Sequence, residues 1–221
     1  MEGQRVRYPP PPWTLRGVAL QTVQRLDAQR VRHLVPAPLE VLALGPAGTL
    51  GGVYLAAYGP GSTLSYHELI VVASLVHHDG RLGAWVSSIL VDDEASAAGG
   101  REIWGLPKVL ATFHWEPGPP PRITVRQGEE EVCSLAYQRR IALGRLRLPL
   151  PVFGARHGDL VYWRGTMRAR PGLASFQLTV PPTSPLAGLG LKTSGLGICF
   201  EDALLTVPSP IPVGRIAPPP R

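Results

Sequence analysis

Lysine is nearly missing from this chain. Of 22 basic residues among 221, only Lys108 and Lys192 are lysines and the rest are arginines. Codon usage alone can produce such a ratio. Even so, arginine replaces a surface lysine freely, whereas it cannot replace one that must lose a proton and attack a carbonyl. The two lysines are therefore the first candidates for chemistry. Cysteine is equally scarce. Cys133 and Cys199 are the only two, they form no CxxC pair, and they sit in apolar, strand-like surroundings. That rules out a disulfide scaffold and reads as buried free thiols in a reducing compartment, a single disulfide being the alternative. No internal repeat and no domain linker is visible. The longest stretch without formal charge, Val41 to Tyr66, carries six glycines and two prolines, so it does not read as a lipid-exposed helix. The first residues run into Pro9–Pro12 without an apolar signal core. These features lead us to expect a soluble, cytoplasmic protein without membrane contact.

Glycine and proline are abundant instead, at 25 each, which excludes a helical bundle or coiled coil. An apolar fraction of 44% and a charged fraction of 17% fit a globule with a buried core. The formal charge is +6, and it is unevenly spread: residues 1–110 hold nine basic and nine acidic side chains, residues 111–221 thirteen and seven. A basic half can serve nucleic acid or anionic ligands. Because no recognition helix, zinc finger or aromatic RNA-binding pattern accompanies the arginines, a solvated surface is the preferred reading and no nucleic-acid partner is expected.

The pattern is one of strands. Alternation predicts a strand at Leu15–Arg25, and Asp27 can cap a short helix that Pro36 and Pro38 stop. Glu40–Leu44 and Gly51–Tyr58 read as a strand pair. Leu69–His77 and Ala84–Val91 form a hairpin turned by His78-Asp79-Gly80. The acidic run Asp92-Asp93-Glu94 starts a helix that continues to about Trp104 and ends at Gly105. Further strands are predicted at Leu110–Trp115, Ile123–Arg126, Glu131–Gln138, Asp159–Arg168, Ser175–Val180 and Gly197–Val207. We expect one domain over residues 1–221, mainly β (α+β), as an antiparallel barrel or curled sheet with a few short helices. Its proline-rich ends, about 1–12 and 208–221, should be extended.

Lys108 stands directly after the helix stop, in Gly100-Arg101-Glu102-Ile103-Trp104-Gly105-Leu106-Pro107-Lys108. This segment resembles the signature of the acetoacetate decarboxylase superfamily, in which a Gly-Arg-Glu…Pro-Lys stretch presents a Schiff-base lysine. Leu34-Val35-Pro36-Ala37-Pro38-Leu39-Glu40 is similar to the family's Val-Pro-x-Pro-Leu segment, and Tyr66-His67-Glu68 agrees more loosely. Order and spacing match across roughly Trp13 to Phe113. The resemblance implies a cone-shaped antiparallel β-barrel around an apolar cavity, with a lysine amine inside. It also implies a lyase that forms an imine with a small β-keto or related oxo acid, needs no external cofactor or metal, and assembles as a homo-oligomer. Carried over by position, Lys108 is the Schiff-base lysine, Glu68 an active-site glutamate and, within one residue, Arg16 an active-site arginine. Trp104, Leu106, Val109 and Tyr66 are expected to line the substrate pocket.

Two departures modify that expectation. The decarboxylases carry a second lysine directly after the nucleophile, where this chain has Val109, and a second active-site glutamate would fall near Gly52–Tyr54, where no acid stands. Burial in an apolar cavity is then what remains to favour the neutral amine. An aldolase or dehydratase using the same lysine, or a non-catalytic barrel holding a small hydrophobic ligand, are the alternatives. The plain reading of Lys108 is a surface lysine at a helix C-terminus. Arg101 and Glu102 read as an internal ion pair, Lys192 as a loop residue, and the adjacent His77 and His78 as part of a turn, since neighbours in a strand face opposite ways.

Overall fold

Strand formation here follows from burial on two faces. The computed structural model describes residues 6–216. In chain order its elements are β1 (Trp13–Thr22), β2 (Gln24–Asp27), α1 (Ala28–Arg32), β3 (Glu40–Val41), β4 (Gly48–Tyr58), β5 (Tyr66–His78), β6 (Arg81–Val91) and α2 (Glu94–Trp104). They continue with β7 (Lys108–Leu110), β8 (Thr112–Glu116), β9 (Arg122–Gln127), β10 (Glu130–Ala142), β11 (Leu146–Arg156), β12 (Asp159–Thr179), β13 (Ser194–Val207) and β14 (Ile211–Arg215). The chain is mainly β, as the sequence predicts.

Seven strands close a ring in the order β11-β6-β5-β4-β1-β13-β12, with β12 pairing back onto β11. The neighbours are antiparallel except β6 and β11, which run parallel where Ala84 and Trp85 meet Val152 and Phe153. The other end of β6 takes β7 as a second parallel partner, Ile89 opposite Lys108. Beyond the ring, β12 also carries β10, followed by β9 and β8. This extension buries its Ile123, Val125 and Leu135 in one cluster with Leu55, Leu69 and Val71 of β4 and β5. Ring strand β5 therefore has two covered faces: Leu69, Val71 and Ala73 are wholly buried toward that cluster, while Glu68, Ile70 and Val72 line an internal cavity. A strand covered on both sides reads as a continuous apolar run, which is what Leu69–Ala73 shows.

Several sequence expectations need correction. The strand foreseen at Leu15–Arg25 breaks after Thr22, whose hydroxyl accepts from the Val53 amide at 2.9 Å, and Val23 stands half exposed between β1 and β2. The short β3 pairs with β5, Glu40 opposite His77, and not with β4. Strand β11 was not foreseen, because Pro149 and Pro151 argue against a ladder. It is tolerated since β11 bonds β6 at only two residue pairs, leaving that edge free of demands on proline nitrogens. The two strands expected between 159 and 180 are one, passing through Pro171-Gly172. Within the C-terminal tail, β14 pairs with the start of β12; residues 1–5 and 217–221 of the expected arms lie outside the described residues. Among the described residues no helix is long and apolar enough to cross a membrane.

Candidate active site

Helix α2 and the turn after it aim Lys108 into the ring. Asp93 caps the helix by accepting from the Ser96 amide at 2.6 Å. Gly105 ends it in the left-handed conformation, φ 63°, where the Gly105 and Leu106 amides bond back to the Arg101 and Gly100 carbonyls. Pro107 prevents continuation, and β7 joins β6. The Arg101 guanidinium donates to the Lys108 carbonyl at 2.7 Å, fixing the backbone at the lysine. The expected Arg101–Glu102 ion pair does not form; Glu102 is exposed and faces His157 at 3.7 Å. Gly100 is required for packing, because a Cβ there would collide with the Lys108 side-chain stem. The glycine of the Gly-Arg-Glu stretch thus makes room for the lysine.

The Lys108 amine lies 2.6 Å from Glu68 Oε1, and both side chains are 4% exposed. It also donates to Ser96 Oγ at 2.9 Å and to the Tyr66 hydroxyl at 3.4 Å, and stands 4.9 Å from the Tyr66 ring centroid. Two long bonds reach the glutamate from tyrosine hydroxyls, Tyr58 to Oε2 at 3.4 Å and Tyr66 to Oε1 at 3.5 Å, and Tyr54 shares a 3.2 Å bond with Tyr58. Burial, reinforced by the Glu68 charge, pushes all three phenols well above their ordinary range. They remain neutral hydrogen-bond donors at any physiological pH.

Of these groups Lys108, Glu68, Tyr54 and Tyr66 line a cavity of about 340 Å³ whose remaining wall is almost wholly aliphatic or aromatic. Tyr66, Trp104 and Leu106 line it. Trp13 and Trp104 meet edge to face at 4.8 Å on its wall. Two candidates are elsewhere. Val109 follows Lys108 on a strand and so points the other way, 37% exposed. Arg16 lies on the outer face, because its neighbour Leu15 takes the inward position. Among the described lining residues Lys108 is the sole cation and Glu68 the sole acid. Sequence reading missed Ser96, Tyr54 and Tyr58. Tyr54 occupies the stretch where a second acid was sought. Ser96 could have been found by its i, i+4 relation to Gly100 on the buried face of α2. Cys133 and Cys199 are buried and form no disulfide with each other, and burial pushes the Cys133 thiol up to about 12. Among the described residues no three His, Cys, Asp or Glu side chains gather as a metal site would need.

A family model described as acetoacetate decarboxylase matches residues 2–208. The chain belongs to the acetoacetate decarboxylase family. Its similarity extends to proteins of more than one name. The protein NEOXANTHIN-DEFICIENT 1 of Solanum lycopersicum is 32% identical over 137 residues, 62% of this chain and 44% of that protein. The acetoacetate decarboxylase of Burkholderia ambifaria (strain MC40-6) is 28% identical over 137 residues, 62% of this chain and 47% of that protein. The chain thus spans less than half the length of these curated relatives. Among solved structures, acetoacetate decarboxylase from Legionella pneumophila superposes with a TM-score of 0.75 at 20% identity, covering 97% of this chain and 93% of that one. The enduracididine biosynthesis enzyme MppR, complexed with pyruvate, does so with a TM-score of 0.70 at 17% identity, covering 95% and 93%. At these identities the likeness is one of fold. The family is shared by this chain, the decarboxylases and their differently named relatives, so substrate and reaction have to be argued from the cavity.

Proposed function

We propose that this protein is an imine-forming enzyme of the acetoacetate decarboxylase type, acting on a β-oxo acid through Lys108. The observation that carries this reading is a single buried amine, paired to one carboxylate at 2.6 Å, at the wall of an otherwise apolar cavity. Glu68 takes a proton from the Lys108 ammonium, and the neutral amine adds to the substrate carbonyl. The carbinolamine oxygen then leaves as water, protonated by Glu68, and an iminium remains. The bond to the carboxylate breaks, its electron pair moves toward the iminium nitrogen, and carbon dioxide departs. The enamine left behind takes one proton at carbon, and water hydrolyses the resulting iminium to release the ketone and restore Lys108. Carbon–carbon cleavage here converts an iminium and a carboxylate into two neutral species, a change that apolar walls favour. A carboxylate that departs needs no lasting counter-ion, and among the described lining residues there is no second cation to supply one.

A second reading keeps the same imine but lets the enamine attack an aldehyde. It is supported by the missing second lysine, Val109 facing outward, and by a fold neighbour, MppR, described in complex with the condensation product of pyruvate and imidazole 4-carboxaldehyde. Borohydride trapping with a panel of β- and α-oxo acids, followed by peptide mass analysis, tests both. We expect a reduced adduct on Lys108, absent in Lys108→Ala, with carbon dioxide released from the β-oxo acids. An adduct without release would move the assignment to aldol or dehydration chemistry. A folded protein that gives no adduct with any compound would leave a binding barrel and overturn the proposal.

A further inference from the structure

Part of the positive charge of the second half of the chain gathers in one place. Five arginines, Arg16, Arg145, Arg147, Arg168 and Arg170, line one groove of about 910 Å³ on the outer face of the ring. They come from β1, from β11 and the residue before it, and from β12. Strand register sets three of them in one line. Arg147 is directly opposite Arg168, Arg168 opposite Leu204, and Leu204 opposite Arg16, so a single cross-strand row runs over four strands. At the usual inter-strand spacing that row spans about 14 Å. Arg170 has an acidic partner, Asp202 at 2.8 Å. Among the described residues no carboxylate forms an ion pair with the other four arginines.

Like charges directly opposite one another in a ladder are destabilising. The Arg147–Arg168 pair therefore costs the fold something that nothing in the described chain offsets. Arginine's planar fork is suited to bidentate binding of phosphate oxygens, and here lysine is not used. A row about 14 Å long exceeds one tetrahedral oxyanion and suits linked or neighbouring phosphates. We infer that this outer groove is a binding site for multiply charged phosphate groups, separate from the Lys108 cavity and occupied independently of it.

Calorimetric titration of the full chain with tripolyphosphate at low ionic strength tests the inference. We expect saturable binding that weakens steeply as salt rises, and at least a tenfold loss of affinity in Arg147→Glu/Arg168→Glu. Borohydride trapping at Lys108 should be unchanged in that variant, which keeps a failure here distinct from a failure of the imine reading. If the phosphate comes from a lipid headgroup, vesicles of phosphatidylcholine with phosphatidate will bind far better than phosphatidylcholine alone, and the same variant will abolish it. Absence of both kinds of binding in a folded protein would overturn the inference. So would binding undiminished in the variant, or a concentration-dependent oligomer that dissociates in the variant and fails to bind phosphate. A single-stranded oligonucleotide that binds far more tightly than tripolyphosphate would overturn it in favour of nucleic acid.

Discussion

The two sides of one stretch of the ring treat charge in opposite ways. Across β11, β12, β13 and β1, the inward row is Leu148, Met167, Leu205 and Leu15; one residue along each strand, the outward row is Arg147, Arg168, Leu204 and Arg16. Inside the ring, the one cation among the described lining residues is matched by one carboxylate at 2.6 Å. Outside, four of the groove's arginines form no ion pair with any acid among the described residues. The difference is one of dielectric. A buried charge without a partner costs several kcal/mol, whereas a solvated one is screened by water and salt. The inner face therefore fixes its charges by structure, and the outer face can keep an unmatched set ready for a ligand.

The largest expected effect comes from alkaline pH, which reaches the buried thiol of the β10 extension and the buried phenols beside Glu68. Cys133 ionises near 9.0 when unfolded and is held to about 12 by burial, with the Glu131 charge adding. A raised folded value means that the native state keeps its proton while the unfolded state loses it. The contribution is thus complete below pH 9 and is lost as pH rises toward 12. Three units correspond to roughly 4 kcal/mol, and Tyr54, Tyr58 and Tyr66, raised from 10.0, add to the loss above pH 10. Circular dichroism against pH should show cooperative unfolding that begins above about pH 9. A fold stable to pH 12 would mean that these groups are hydrated.

Next in size is the buried pair itself. Removing one member leaves the other uncompensated, so Lys108→Met or Glu68→Gln alone should lower unfolding free energy by roughly 3–5 kcal/mol. The double variant Lys108→Met/Glu68→Gln should recover most of it. Denaturant unfolding of the three variants gives the coupling directly. A coupling near zero would show that the pair is open to water.

How far the sequence carried depends on which face is in question. Lys108, Glu68, Trp104 and Tyr66 were legible because motif spacing places them and because lysine is almost absent elsewhere. Arg16 was misplaced by one residue. On a strand, one residue is the difference between cavity and solvent, and only the register Leu15 opposite Leu205 decides it. The same parity sent Val109 outward. Tyr54 and Tyr58 come from β4, and nothing local in their sequence signals that they gather beside Glu68, whereas Ser96 of α2, which accepts from Lys108, is traceable through its spacing to Gly100. Strand β11 was hidden by its prolines, and Arg16 joins the arginine row only through its long-range pairing with Leu204. Local pattern identifies strands; partners and faces come from closure of the ring.

The smallest effect is the most discriminating for the outer face. Arg147→Glu replaces a like-charge cross-strand pair with an opposite-charge one, so at low ionic strength it should raise stability by about 0.2–1 kcal/mol. Screening over about 3 Å at 1 M salt should remove most of that gain, whereas the destabilisation seen in the Lys108 and Glu68 variants should hardly change with salt. Thermal unfolding at two salt concentrations is sufficient to see both. A gain that vanishes with salt marks the arginine row as stored repulsion awaiting an anion. A loss that ignores salt would instead mean that the Arg147 stem is packed against its neighbours, and the contrast between the faces would then lie in packing rather than in charge.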